Sequence, residues 1–185
     1  IEIKEINDLY SYSLFNINYE SDYHIYINDP RNINLGKKLI TNKKIFFEKE
    51  RFVEINEIKY HEILISNITP YSPFDILENK SLLLENNFDN LNAIDWDKGC
   101  YVGQEITARM KYRGLLKKKL YALKIKNGDV LEGDELIVDN KKIGTIVSKA
   151  NSNIFAALNI NFVNELKNNN QSLVINDLLS FDFLN

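Results

Sequence analysis

The sequence predicts an α+β protein in two parts. Residues 1–115 are predicted to form a region of sheet and helices, and residues 116–185 a small antiparallel β-barrel. Up to Gly114 the chain contains helical segments that begin with capping residues. After Lys117 it contains short segments in which apolar and polar residues alternate, separated by Asn, Asp and Gly turns. Several short strands at close spacing indicate a barrel or sandwich.

The first region opens with two predicted strands, residues 13–17 and residues 23–27, with a polar turn between them. Asp29-Pro30 then predicts a helix start, because Asp is a good N-cap and Pro is favoured at the first helical position. We expect this helix to run to about Ile40.

Two further helices are predicted. Asn56 is a cap for a helix that continues to about Ser66. An irregular loop containing Pro70 and Pro73 follows. The next helix begins near Gln104, just after the segment KGCYVGQE at residues 98–105.

The second region reads as six strands, which would close a small barrel. They are Leu120–Ile125, Glu135–Val138, Lys142–Ser148, Ile154–Ile160, Leu173–Asn176 and Leu179–Phe183.

Composition excludes several classes of protein. No apolar run approaches the length of a membrane-spanning helix, which is about 20 residues. The net charge of -3 argues against a general nucleic-acid-binding surface. One Cys excludes an internal disulfide framework and fits a reducing compartment, so we expect a cytoplasmic location. The chain begins with Ile1 and its one Met is Met110, so we expect it to be a fragment.

The segment KGCYVGQE contains the only Cys of the chain, Cys100. Gly103 provides backbone freedom for a tight entry into the helix, and Glu105 falls in its first turn, where the helix dipole favours a carboxylate. A thiol just before a helix is typical of reactive cysteines. Most lone cysteines, however, are small buried hydrophobes. Local chemistry leaves both interpretations open.

The stretch DKGCYVGQEITARMKYRG, Asp97 to Gly114, closely resembles the signature of the folate-binding YgfZ family. That family is related to the T-protein of the glycine cleavage system, an aminomethyltransferase, and to a mitochondrial iron–sulfur assembly factor. The resemblance extends to DPRNINLG at Asp29–Gly36 and to Gly144 and Ser148 in the barrel. It departs from the family at Leu64, where Arg is common, and at Ile68, where Gly is common.

The resemblance implies a fold and a role. Residues 1–115 would be the C-terminal part of a folate-binding, aminomethyltransferase-like domain of ferredoxin-like type whose N-terminal portion is absent. Residues 116–185 would be its C-terminal β-barrel domain. The implied cofactor is tetrahydrofolate or a derivative. The implied role is assembly or repair of iron–sulfur enzymes, including those that modify tRNA, with iron–sulfur proteins or assembly factors as partners; direct tRNA binding remains open.

Candidate site residues follow from the resemblance and from folate chemistry. A carboxylate can bind the pterin edge through two parallel hydrogen bonds, and we assign this role to Glu85, with Asn87 beside it. The anionic tail of folate needs a cation, for which Arg109 is the candidate. Cys100 is the candidate catalytic residue. The other candidates form the wall of the cavity and the motif backbone: Tyr101, Gln104 and Glu105, with Lys98, Gly99 and Gly103.

Three functions are compatible with these residues. The first is a folate-dependent maturation factor rather than a turnover enzyme. The second is an aminomethyltransferase, although T-proteins generally lack the Cys of this motif. The third is an interaction module that keeps the fold without the ligand, which the changes at Leu64 and Ile68 favour. The basic run Lys117–Lys119 could bind a partner or be a solvated face.

Overall fold

A computed structural model describes residues 9–16, 25–46, 48, 52–100 and 102–184. By contacts the chain separates into two compact units, Ile1–Ile55 and Asn56–Asn185. Residues 56–115 therefore belong to the same compact unit as the strands that follow them. The assignment of residues 1–115 and 116–185 to two family domains stays a prediction.

The first unit contains a three-stranded antiparallel sheet in the order β1-β3-β2. Its strands are β1 (Tyr10–Leu14), β2 (Ile25–Asn28) and β3 (Lys37–Thr41). Leu39 of the central strand is fully buried and lies opposite both neighbouring strands. The two predicted strands are thus present with shifted ends, and the turn predicted between them lies outside the described residues.

The helix predicted from Asp29 to about Ile40 is wrong. A 3-10 turn at Ile33–Leu35 replaces its first half, and β3 replaces the rest. Gly36 separates the two with a φ of 69°, in the left-handed region. An added Cβ there would collide with the carbonyl oxygen of Leu14. Pairing of β3 with strands on both sides outweighs the local helix signal.

The second unit begins with α1 (Glu57–Ser66), where Asn56 caps the helix as predicted and its side chain accepts a hydrogen bond from the Lys59 amide. Leu64 and Ile65 of this helix are fully buried. A long stretch of turns follows, and α2 (Glu105–Tyr112) begins next to the predicted Gln104.

The barrel prediction is confirmed as a six-stranded antiparallel sheet in the order β5-β6-β7-β4-β9-β8. The edge strands β5 and β8 contact each other, so the sheet is nearly closed. Its interior contains large apolar side chains such as Leu123, Ile154 and Phe181. The strands are β4 (Lys118–Asn127), β5 (Glu135–Val138), β6 (Lys141–Ala150), β7 (Asn153–Asn159), β8 (Leu173–Asn176) and β9 (Leu179–Phe183).

A third helix, α3 (Ile160–Asn168), lies between β7 and β8 and was not predicted. Asn159 ends the strand and caps the helix, since its side chain accepts a hydrogen bond from the Phe162 amide. Val163 then packs fully buried against the barrel core. The apolar run into Ile160 resembled a continuing strand, whereas the Asn159 cap and the packing of Val163 on the barrel favour helix.

The described part of the chain is therefore a mixture of α and β structure with a barrel-like sheet. The ferredoxin-like arrangement predicted for residues 1–115 stays a prediction. Among the described residues, no helix combines the length and the apolar character needed to cross a bilayer.

Candidate functional site

Cys100 lies on an exposed loop just before α2. Gly99 and Gly103 flank it, and a Cβ built on either of them would meet no atom within 4 Å. Gly103 has a φ of 92°, so this position needs glycine for its backbone conformation rather than for space. In this chain Cys100 is therefore exposed rather than packed in a core, and its role stays a prediction.

Helix α2 stands out because none of its residues is buried. Gln104 occupies the N-cap position without a capping hydrogen bond from its side chain, and Glu105 is in the first turn as predicted. Glu105 and Arg109 are both exposed, and no ion pair joins them within 4 Å. Arg109 therefore keeps its charge available to an anion.

Trp96 connects the loop to the end of α2. Its ring lies edge-on to Tyr112 at 6.4 Å between centroids, and Lys111 Nζ lies 4.2 Å from the centre of the Trp96 ring. An ammonium group over an indole face is attracted by the ring quadrupole. These contacts hold the segment before Cys100 against the helix after it.

Glu85 and Asn87 lie against the first half of β4. The amide of Leu120 donates to the Glu85 carbonyl at 2.7 Å, and the Asn87 side chain donates to the Leu120 carbonyl at 2.8 Å. The partner strand β9 pairs only with the second half of β4. Residues 85–87 thus satisfy backbone groups of Leu120 that β9 does not reach.

The Glu85 carboxylate is 19% exposed, and its Oε2 lies 3.3 Å from Nζ of Lys118. Lys119 pairs with Asp89 in the same way at 3.4 Å. Lys118 is more than half exposed, and an ion pair of this kind contributes only about 0.2–1 kcal/mol. A ligand could therefore displace Lys118 from Glu85 at small cost.

The candidate residues fall into two groups in the described contacts. Glu85 and Asn87 belong to the segment held on β4, whereas Lys98, Cys100 and Arg109 belong to the loop and helix α2. No hydrogen bond or ion pair between described residues joins one group to the other. Tyr101 lies outside the described residues. The described residues contain no cluster of three or more His, Cys, Asp or Glu that could hold a metal ion.

Sequence reasoning missed a buried polar cluster formed by His61, Asp75 and Ser148. Asp75 is 1% exposed and lies between α1 and β6. His61 Nε2 lies 2.9 Å from its Oδ1, and the Ser148 hydroxyl donates to the same oxygen. The amide of Tyr71 donates to Asp75 Oδ2 at 2.7 Å.

This cluster does not have the order of a hydrolytic triad, because the carboxylate rather than the imidazole is central and the hydroxyl is fully buried. It connects α1, the loop at residues 71–75 and strand β6 into one body. His61 and Ser148 stand 87 residues apart in sequence. No local signal in the sequence indicates that they share a carboxylate.

No family model matches the chain. Curated proteins do match. A Dictyostelium discoideum protein named "Iron-sulfur cluster assembly factor IBA57 homolog, mitochondrial" is 32% identical over 130 residues, which cover 66% of this chain and 32% of the relative. The Saccharomyces cerevisiae protein "Iron-sulfur cluster assembly factor IBA57, mitochondrial" is 39% identical over 87 residues, covering 46% of this chain and 16% of the relative. The Homo sapiens protein is 30% identical over 102 residues, covering 54% and 28%.

Homologues of this chain are thus iron–sulfur cluster assembly factors. The particular relatives are the IBA57 proteins, of whose length the chain spans a third or less. All of those named here are mitochondrial by name. The expected cytoplasmic location is therefore wrong: a reducing environment, which one free thiol indicates, does not single out the cytosol.

Proposed function

We propose that this chain is part of a mitochondrial iron–sulfur cluster assembly factor of the YgfZ type that binds a reduced folate. Its partners are iron–sulfur proteins or other assembly factors, and its clients include enzymes that modify tRNA. The observation that carries the proposal is the similarity to IBA57 proteins from three distant organisms at 30–39% identity. The exposed thiol of Cys100 supports it, because a group that acts on a partner's cluster has to be accessible.

A cluster passing through this protein is cargo, and Cys100 can supply one ligand to it. Iron–sulfur clusters need about four thiolate ligands. The other ligands would come from the partner that delivers or receives the cluster. The assigned role of Cys100 is therefore a transient contact made during transfer.

Two features of the site support folate binding. The Glu85 carboxylate is partly exposed and has one weakly held cation as its partner, so it can exchange Lys118 for the pterin edge. Arg109 is exposed and can pair with the glutamate tail. Asn87 positions the strand beside Glu85 through its hydrogen bond to Leu120. Tetrahydrofolate, when bound, would supply the one-carbon chemistry.

The test of the assembly role is replacement of the thiol. Cys100→Ser in the full-length protein should abolish rescue of iron–sulfur enzyme activity in cells that lack the endogenous factor. Its melting temperature should stay within a few degrees of the parent, because the side chain is exposed. Full rescue by Cys100→Ser would contradict the proposal.

Folate binding is tested separately by titrating the full-length protein with tetrahydrofolate. Glu85→Ala should weaken binding by about 1.5–3 kcal/mol, the range for a hydrogen bond to a charged group. Lys118→Ala is the matched control, because it removes the ion-pair partner of Glu85 and should leave affinity equal or higher. Unchanged affinity in Glu85→Ala would remove this residue from the site. Immunolocalisation outside mitochondria would contradict the proposed location.

A further inference from the structure

The segment from Lys98 to Lys119 carries a large positive charge in an acidic protein. It contains seven Lys or Arg residues and one Glu. The chain has 23 basic and 26 acidic residues in total, so the remainder has 16 basic and 25 acidic residues. A local excess of one sign of charge against the opposite net charge indicates a surface that selects its partner electrostatically.

Not all of these cations are already paired within the protein. Lys118 and Lys119 have acidic partners in Glu85 and Asp89. Arg113 and Lys117 are exposed and form no ion pair with any described residue. Their charges are thus available to another molecule.

Apolar side chains are exposed beside these cations. Ile106 is 60% exposed and Tyr112 is 72% exposed on α2, and Val102 of the preceding loop has no cover at all. Arg109 and Arg113 follow Ile106 at helical spacing, so the three share one face of the helix. Trp96 contacts Tyr112 and Lys111.

We propose that the α2 surface, defined as Val102, Ile106, Tyr112, Arg113 and Lys117, docks a protein whose contacting surface has an apolar centre and an acidic rim. This is the usual composition of a protein interface, with apolar anchors inside and charges around them. The proposal rests on the proposed assembly role and deepens it by naming the surface chemistry of the partner; Cys100 precedes Val102 by two residues in the sequence.

A protein fits this surface better than a nucleic acid. A long polyanion would extend past residues 98–119 onto the rest of the second unit, residues 56–97 and 120–185, which contain 16 acidic and 8 basic residues and so repel phosphate. A partner with a small acidic patch avoids that repulsion. The exposed apolar residues would also gain nothing from a phosphate backbone, whereas they gain from apolar contact.

The test measures binding of defined polymers to the 185-residue chain. The probes are a random copolymer of glutamate and tyrosine, poly-L-glutamate of equal length, and polyuridylate, each followed by fluorescence anisotropy at low and at physiological ionic strength. The copolymer should bind most tightly, and added salt should weaken its binding without removing the preference over poly-L-glutamate.

Two charge reversals provide the matched comparison. R113E/K117E should weaken copolymer binding by at least about tenfold, because two attractive contacts become repulsive. K80E/K141E changes the net charge equally at two other exposed lysines and should change binding by less than about twofold. Ile106→Ser should remove the preference for the copolymer over poly-L-glutamate. Circular dichroism melting checks that each variant folds, and R113Q/K117Q replaces the charge reversal if it does not.

Equal weakening in the two charge-reversed variants would overturn the docking surface, since only net charge would then matter. Tighter binding of polyuridylate than of the copolymer would assign the surface to RNA instead. Full rescue by Cys100→Ser would overturn the assembly role but would leave this binding result intact, so the two proposals fail separately.

Discussion

At the scale of single residues, Gly103 and Asn87 both have a positive φ, and this conformation serves opposite purposes at the two positions. Gly103 has a positive φ in open space, and it frees the loop that presents Cys100. Asn87 also has a positive φ, 63°, but it is 3% exposed and its side chain holds Leu120. The first conformation exposes a functional group, whereas the second fixes a strand.

Replacement of Asn87 tests that structural use. Asn87→Ala should lower the free energy of unfolding by about 1–3 kcal/mol, because the Leu120 carbonyl loses its donor. Asn87→Gly is the matched control: it loses the same hydrogen bond, but glycine accepts the left-handed conformation, so it should be about 1 kcal/mol more stable than the alanine variant. Urea denaturation measures both, and equal stabilities would show that the backbone conformation costs nothing here.

At the scale of elements, helix α1 is fixed to the barrel by polar contacts as well as by apolar packing. Glu62 accepts a hydrogen bond at 2.9 Å from Asn151, which lies in the turn between β6 and β7. This contact is the largest cause that lowers the pKa of Glu62, with Lys59 adding to it. Two adjacent residues therefore fix α1 in place: Glu62 binds Asn151 at the surface, and His61 binds Asp75 in the interior.

Removal of the buried carboxylate should be far more costly than removal of one of its donors. Asp75→Ala leaves His61, Ser148 and the Tyr71 amide without their acceptor and should destabilise the protein by about 3–5 kcal/mol. Ser148→Ala removes one donor and should cost about 1.5–3 kcal/mol. Thermal unfolding checks the order, and comparable losses in the two variants would contradict the central role of Asp75.

The first unit should respond to acid through Asp29. Burial raises the pKa of this carboxyl, but the side chain and backbone of Arg31 donate to it, and the net result is a pKa below the ordinary 3.8. A depressed folded pKa gives stability that is present above pH 3.8 and is lost as the pH falls below it.

Asp29→Asn should therefore be less stable than the parent at neutral pH, and the difference should shrink as the pH falls below 3.8. Hydrogen exchange of the β3 amides measures this difference in stability, because the turn at residues 33–35 leads directly into β3. A difference that stays constant down to about pH 2 would show that the charge of Asp29 does not contribute, because the unfolded carboxyl begins to take up its proton near pH 3.8.

At the scale of the whole molecule, most of the buried apolar side chains described in the second unit belong to two clusters. One fills the barrel and contains Phe181 and Ile154, and the other joins Ile65 of α1 to Phe155 on the outside of the barrel. Both clusters consist of residues between Ile65 and Leu184. The second unit therefore has a core built from its own residues.

A chain of residues 56–185 should consequently fold by itself. We expect a cooperative thermal transition and the circular dichroism of a β-rich protein, because domains with their own core fold independently. A variant with Phe155→Ala in the same truncated chain is the control and should melt at a lower temperature, since truncation of a buried Phe costs about 3–5 kcal/mol. A broad, non-cooperative transition of the truncated parent would contradict the division.

Local signals in the sequence predicted the structure correctly where an element depends on residues close to it in sequence. Asn56 caps α1 through the Lys59 amide three residues away, and alternating residues between Asn and Gly turns predict β5, β8 and β9 with their ends. The signature at residues 97–114 likewise predicts the loop and helix that present Cys100, because the backbone conformation of Gly103 acts within one turn.

Tertiary structure decided the rest, because distant partners outweigh local preference. The segment after Pro30 has a helical start signal, yet Lys37–Thr41 gains more from pairing with β1 and β2 on both sides than from helix. Asp75 was an ordinary loop residue in the sequence and became the centre of a buried cluster through Ser148, 73 residues later. The sequence alone determined what each short segment can form, whereas burial and long-range pairing determined which of those forms it takes and which side chains remain exposed.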